Sequence, residues 1–150
     1  MERSQIEELV YRSCLALDER DFKAFLALCE PGFRYKVTVY SPEIRKDMVW
    51  LDHDRAGMET LFTNLPRHNS DHSPLTRHAT VYTVKQNGTT AEVVSALQVF
   101  RTQLDGGATE LYGVARLVDT IKIDGAEPKL ASRVVRMETR QLGFGTHIPF

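Results

Sequence analysis

The stretch Trp50-Leu51-Asp52-His53-Asp54-Arg55 sets two carboxylates around an imidazole, with an arginine behind and the chain's one tryptophan in front. Three roles open from such a set. A desolvated carboxylate or a partnered imidazole can move a proton. Carboxylate and imidazole also ligate metal ions, but three consecutive side chains point in divergent directions, and metal sites draw on separated positions. The third role is structural: an aspartate directly before a helix accepts bonds from the free N–H groups of its first turn. Asp52 or Asp54 fits that role with Arg55 beginning a helix, and this is the reading preferred over acid–base or metal chemistry.

The other histidines divide by context. His68 and His72 are four apart, but Pro66 and the run Asn69-Ser70-Asp71-His72-Ser73-Pro74 place them in a loop. His78 opens a strand and shares a face, by alternation, with Thr80, Tyr82 and Val84; it is expected to be partly buried and hydrogen-bonded. His147 falls in the glycine-rich tail Gly143–Phe150, outside the regular elements. If the chain held an acid–base pocket, Asp52, His53, Tyr35 and His78 would be its candidates, with an acid or imidazole as base and a tyrosine stabilising an enolate. Cys14 and Cys29 fall on apolar helix faces and read as core residues. There is no glycine-rich phosphate loop, no HExxH, no nucleophile elbow, no Cys-x-x-Cys and no Cys-x-His…Cys-x-x-His pattern for a Rieske cluster. If oxygen chemistry is involved, its metals lie on another chain.

The elements that must position these residues follow from hydrophobic period. Residues 4–18 read as an amphipathic helix, with Ile6, Leu9, Val10, Ser13, Cys14 and Leu17 at three- and four-residue steps and Ser4/Glu7 at capping-box spacing. A second helix is expected at about 20–29, ended by Pro31-Gly32, and a third at about 55–65, ended by Pro66. Phe33–Tyr40 alternates as a half-buried strand. Four long strands are expected at about 76–86, 90–103, 110–124 and 129–142, separated by Asn87-Gly88, Asp105-Gly106-Gly107 and Asp124–Pro128. Ala91–Phe100 carries apolar residues on both faces and reads as a central strand.

The whole, 1–150, makes one domain. The order helix–helix–strand–helix–four antiparallel strands belongs to the α+β class: a cone-shaped roll in which three helices pack on a strongly curved, mainly antiparallel sheet. With 42% hydrophobic and 26% charged residues and a formal net charge of −1, nothing points to nucleic acid or an acidic membrane surface. No apolar run is long enough for a membrane helix, and Met1–Val10 lacks the features of a signal peptide, so a cytoplasmic location with reduced thiols is expected.

This order resembles the nuclear-transport-factor-2-like (SnoaL-like) fold, shared by isomerases, dehydratases, cyclases and subunits without catalytic roles. Three segments narrow the resemblance. Leu17-Asp18-Glu19-Arg20-Asp21-Phe22 running into Phe25–Leu28, then Thr76-Arg77-His78-Ala79-Thr80-Val81, and finally Arg136–Gly143 reaching Ile148-Pro149-Phe150 are together similar to the small (β) subunit of aromatic-ring-hydroxylating dioxygenases. Met137-Glu138 stands where that family usually has Leu-Asp. The resemblance implies a non-catalytic structural subunit: a homotrimer that holds three larger α subunits in an α3β3 complex for aromatic compound catabolism. The Rieske 2Fe-2S cluster and mononuclear iron would then sit on the α subunit. The tail would bury Phe144, Ile148 and Phe150 against a neighbour or fold back to close its own barrel end. The alternative is a stand-alone isomerase, dehydratase or cyclase acting on a small hydrophobic substrate by acid–base chemistry.

Overall fold

The computed structural model describes residues 1–65, 72–141 and 149–150. Helix α1 (Arg3–Asp18) buries Ile6, Leu9, Val10, Ser13, Cys14 and Leu17, the expected stripe. It begins one residue early, and its capping residues are Glu2 and Gln5, whose Oε1 accepts the Glu2 N–H at 3.0 Å, instead of Ser4 and Glu7. Arg20 adopts φ 55 and so interrupts the helical path. Helix α2 therefore runs only over Phe22–Ala27, shorter than expected, with the Asp21 carboxylate accepting the Ala24 N–H. Helix α3 covers Arg55–Asn64. Phe62 stacks on Phe22 at 4.3 Å between centroids and meets Phe25 edge-on, which ties α3 to α2.

Among the described residues six strands form one sheet in the order β2-β1-β6-β5-β4-β3. They are β1 (Cys29–Ser41), β2 (Lys46–Asp54), β3 (Leu75–Asn87), β4 (Thr90–Thr102), β5 (Thr109–Lys122) and β6 (Lys129–Met137). All neighbours run antiparallel except β1 and β6, which are parallel. The α+β class and the mainly antiparallel sheet are as expected from sequence. Strand β2 is not: Lys46–Trp50 is exposed along its whole length, so neither face is selected for burial and the period-two signal is missing. Pro31-Gly32, expected as a helix stop, lies inside β1, where the register with β6 skips from Cys29 to Arg34. Strand β4 is second from one edge and not central; Ala91, Val93, Ser95, Leu97 and Val99 face inward while the opposite face is only partly covered.

The core lies between the helices and the inner face of the sheet, with Ile6, Val10, Phe25, Phe33, Leu117 and Val135 among its buried members. Both cysteines are buried and unpaired to each other, as their apolar positions implied. No helix among the described residues is long and apolar enough to cross a membrane.

Candidate functional site

Cross-strand register places one polar row across the inner face of the sheet. His53 on β2 stands opposite Tyr35 on β1, Tyr35 opposite Arg133 on β6, and Arg133 opposite Asp119 on β5. Directly paired residues project to the same face, so the alternation that buries Leu117, Ile121, Val135 and Met137 also carries Asp119 and Arg133 inward. The row continues into the apolar pair Val93 and Val84.

Within the row Asp119, Arg133 and Tyr35 are all hydrogen-bonded. Arg133 donates from Nε to Asp119 Oδ1 at 2.7 Å and from Nη2 to Oδ2 at 2.8 Å. Nη2 also reaches Ser13 Oγ on α1 at 2.9 Å, and that hydroxyl donates to the Val10 carbonyl. Burial alone pushes the guanidinium pKa down, but the Asp119 charge and hydrogen bonds outweigh it, and the net shift is upward. Burial raises the Tyr35 phenol well above its ordinary 10.0, and the same effect raises the Cys14 thiol and pushes Cys29 up to about 12. These are thiols and a phenol held neutral, without the depressed pKa that activates a nucleophile.

A second ion pair closes the same end of α1. Arg77 on β3 donates from Nη1 to Asp18 Oδ1 at 2.7 Å, and its backbone N–H bonds the same carboxylate. Its Nη2 donates to the Pro149 carbonyl at 2.6 Å. Phe150 is buried against the Tyr35 hydroxyl and the Tyr112 ring, so of the two readings of the tail, folding back describes this end. Phe144, His147 and Ile148 lie outside the described residues, as does His68.

The four sequence candidates do not converge. Tyr35 and His53 are neighbours on the inner face, with His53 beneath α3: a Cβ on Gly57 would meet its Nδ1 at 2.9 Å. Asp52 projects from the outer face and pairs with Arg34 at 2.9 Å, both well exposed. His78 is exposed on the outer face at the opposite edge, tilted against Phe100 with centroids 5.0 Å apart. The expectation of a partly buried His78 fails. It does share the outer groove with Thr80 and Tyr82, but a bulge between Val81 and Thr83 returns Val84 to the inner face. Asp54 is the N-cap of α3, its Oδ1 accepting the Gly57 N–H at 2.8 Å, and Arg55 donates to the carbonyls of Leu26 and Cys29. His72 is exposed, and Arg20 donates to its carbonyl. Among the described residues no cluster of three or more His, Cys, Asp or Glu could hold a metal ion.

The sequence reading overlooked two sites. Asp119 and Arg133 carried a usable signal, being charges in phase with apolar residues on alternating strands. The β1–β2 hairpin carried less. Beyond the helices it exposes Tyr40, Ile44, Met48, Val49 and Trp50, and a groove of about 590 Å³ runs along it between Val39, Met48, Trp50 and Arg140. Exposed apolar side chains clustered on an edge hairpin mark a surface suited to a protein partner.

The SnoaL-like domain family matches residues 1–134. The chain is 40% identical to the β subunit of the methanesulfonate monooxygenase hydroxylase of Methylosulfonomonas methylovora, over 96% of this chain and 84% of that one. It is 32% identical to the β subunit of 2-aminobenzenesulfonate 2,3-dioxygenase from an Alcaligenes species, over 99% of both. In fold it is similar to the β subunit of a candidate aromatic-ring-hydroxylating dioxygenase from Novosphingobium aromaticivorans, with a TM-score of 0.79 at 17% identity over 93% of this chain and 90% of that one. With so much of its length matched, the chain belongs to the SnoaL-like domain family, among the small (β) subunits of ring-hydroxylating oxygenases.

Proposed function

We propose that this chain is the assembly subunit of a multicomponent Rieske non-heme iron oxygenase, acting in the cytoplasm. Three copies would associate and hold three larger α subunits, which carry the 2Fe-2S cluster, the mononuclear iron and the substrate pocket. The observation that carries this reading is the β1–β2 hairpin, whose Met48, Val49 and Trp50 are exposed although a monomer gains nothing by exposing them. The inner polar row supports it from the other side: Asp119 has both oxygens committed to Arg133 and is not poised as a general base. The stand-alone isomerase, dehydratase or cyclase is not favoured, since Asp52 and His78 stand on the outer face and only Tyr35 and His53 adjoin.

The substrate narrows as well. The two relatives are named for methanesulfonate and 2-aminobenzenesulfonate, which share a sulfonate and not an aromatic ring. We therefore read the substrate of the complex as an organosulfonate, aromatic or aliphatic, selected by the α subunit.

Co-expression with the α subunit tests the assignment. The expected result is a brown complex containing equal numbers of the two chains, six in all, while this chain alone is colourless and trimeric. A stable dimer that catalyses proton transfer without any partner would overturn it.

A further inference from the structure

Strand direction brings two unlike exposed features to one end of the sheet. Strand β1 runs parallel to β6, β6 antiparallel to β5, and β5 antiparallel to β4, so the β1–β2 tip and the β4–β5 turn project from the same end. Only β6 separates the two hairpins. The tip exposes Ile44 (54%), while the β4–β5 hairpin exposes Leu104 (68%) and Leu111 (53%). The charges around them differ in sign. Glu43 lies 3.5 Å from Arg140, and Glu110 2.6 Å from Arg101, so those two carboxylates are matched within the chain. Arg45 and Lys46 at the tip and Asp105 in the turn are exposed and have no ion-pair partner among the described residues. Asp47 follows Lys46 on β2 and projects to the other face. An apolar tip with spare cations and an apolar turn with a spare carboxylate are complementary to each other, and neither is complementary to a copy of itself.

We infer that copies of this chain join head to tail. Ile44, Arg45 and Lys46 of one copy dock on Leu104, Asp105 and Leu111 of the next, and three such contacts close a ring. A contact between two different patches repeats around an axis, whereas a single self-complementary patch stops at a dimer. The hairpins lie about three strand spacings apart, roughly 14 Å, so one chain meets a neighbour on either side of one axis. Met48, Val49 and Trp50, further along β2, stay open to the α subunit. The inference rests on the trimer proposed above and adds which surfaces build it.

The test uses two full-length variants, Ile44→Asp and Leu104→Asp, each spoiling one patch, with mass read by analytical ultracentrifugation and folding by circular dichroism. Each variant alone is expected to be monomeric. Mixed in equal amounts they should form 1:1 dimers, because the intact tip of one still meets the intact turn of the other. Trimers that survive both changes, or a mixture that stays monomeric, would overturn the inferred surfaces and leave the trimer standing. A parent chain that is monomeric would overturn the trimer itself. Charge reversal gives a second readout that does not spoil the apolar contact. Lys46→Glu or Asp105→Lys alone should weaken assembly about tenfold, and the two changes in one chain should restore it, since every contact then carries the reversed pair. A double variant as weak as the singles would also overturn the inference.

Discussion

Arg133 and Asp119 face each other across the β6–β5 pair and meet through two parallel hydrogen bonds of 2.7 and 2.8 Å, with side chains 1% and 0% exposed. Two charges taken out of water at this depth are tolerated only because the geometry is bidentate and Ser13 accepts a further bond from Arg133. The pair also joins the middle of the sheet to α1, since Ser13 belongs to that helix.

Removing one partner should therefore be far worse than removing both. Arg133→Met leaves the Asp119 carboxylate buried and unpaired, at an expected cost of about 3–5 kcal/mol. The double variant Arg133→Met/Asp119→Leu should cost much less, because no orphan charge remains. Urea unfolding of the single and double variants checks this, and equal losses in the two would contradict it.

The aspartates flanking His53 separate by the same kind of reasoning. Asp54 caps α3 through the Gly57 N–H, so Asp54→Ala should lose about 1 kcal/mol. Asp52 is 42% exposed and its partner Arg34 61%; such a surface pair is worth little, and Asp52→Ala should stay within about 0.5 kcal/mol of the parent. Denaturant midpoints of the two variants distinguish them directly.

Where periodicity was strong, structure was legible. The Ile6/Leu9/Val10/Ser13/Cys14/Leu17 stripe, the α3 boundary at Arg55 and five of the six described strands followed from period and turn chemistry alone. Strand β2 did not, because a segment exposed on both faces has no alternation to read, and its pairing with β1 rests on backbone hydrogen bonds that side chains do not announce. The inner polar row was half legible. Asp119 and Arg133 sit in the buried phase of their strands, but that they stand opposite each other depends on register between strands and on a shift at Thr120/Ile121. Asp52 and His53 looked like one site because they are adjacent in sequence; on a strand adjacency sends two side chains to opposite faces.

Alkaline stability should reflect the buried thiols and phenol. Burial raises Cys29 from its ordinary 9.0 to about 12, so the folded state keeps its proton where the unfolded state has lost it. The stability is fully present below pH 9 and declines as pH rises from there toward 12, by about 1.4 kcal/mol per pH unit for each such group. Tyr35, raised from 10.0 by burial, adds to the slope from pH 10 upward. Unfolding free energies measured from pH 8 to 11 should fall with that sign, and Cys29→Ala should flatten the decline between pH 9 and 10. The intact protein should also resist thiol reagents at pH 8.

Trp50 offers a direct view of the proposed interface. It is the chain's one tryptophan, 37% exposed on the hairpin beside Met48 and Val49, so all tryptophan emission from this chain reports on that surface. Binding of the α subunit there would exclude water from the indole and shift its emission to shorter wavelength, readable if the α chain's own tryptophans are replaced or the signal is taken by difference. Because the hairpin lies at the edge of the sheet, away from the Arg133–Asp119 pair, Trp50→Ser should leave the melting temperature of the free chain nearly unchanged. An aromatic anchor at the centre of an interface commonly carries 2 kcal/mol or more, so the same change should weaken association with the α subunit by roughly thirtyfold. An unaltered affinity would move the interface elsewhere on the molecule, the outer groove of His78, Tyr82 and Arg116 being the next surface to probe.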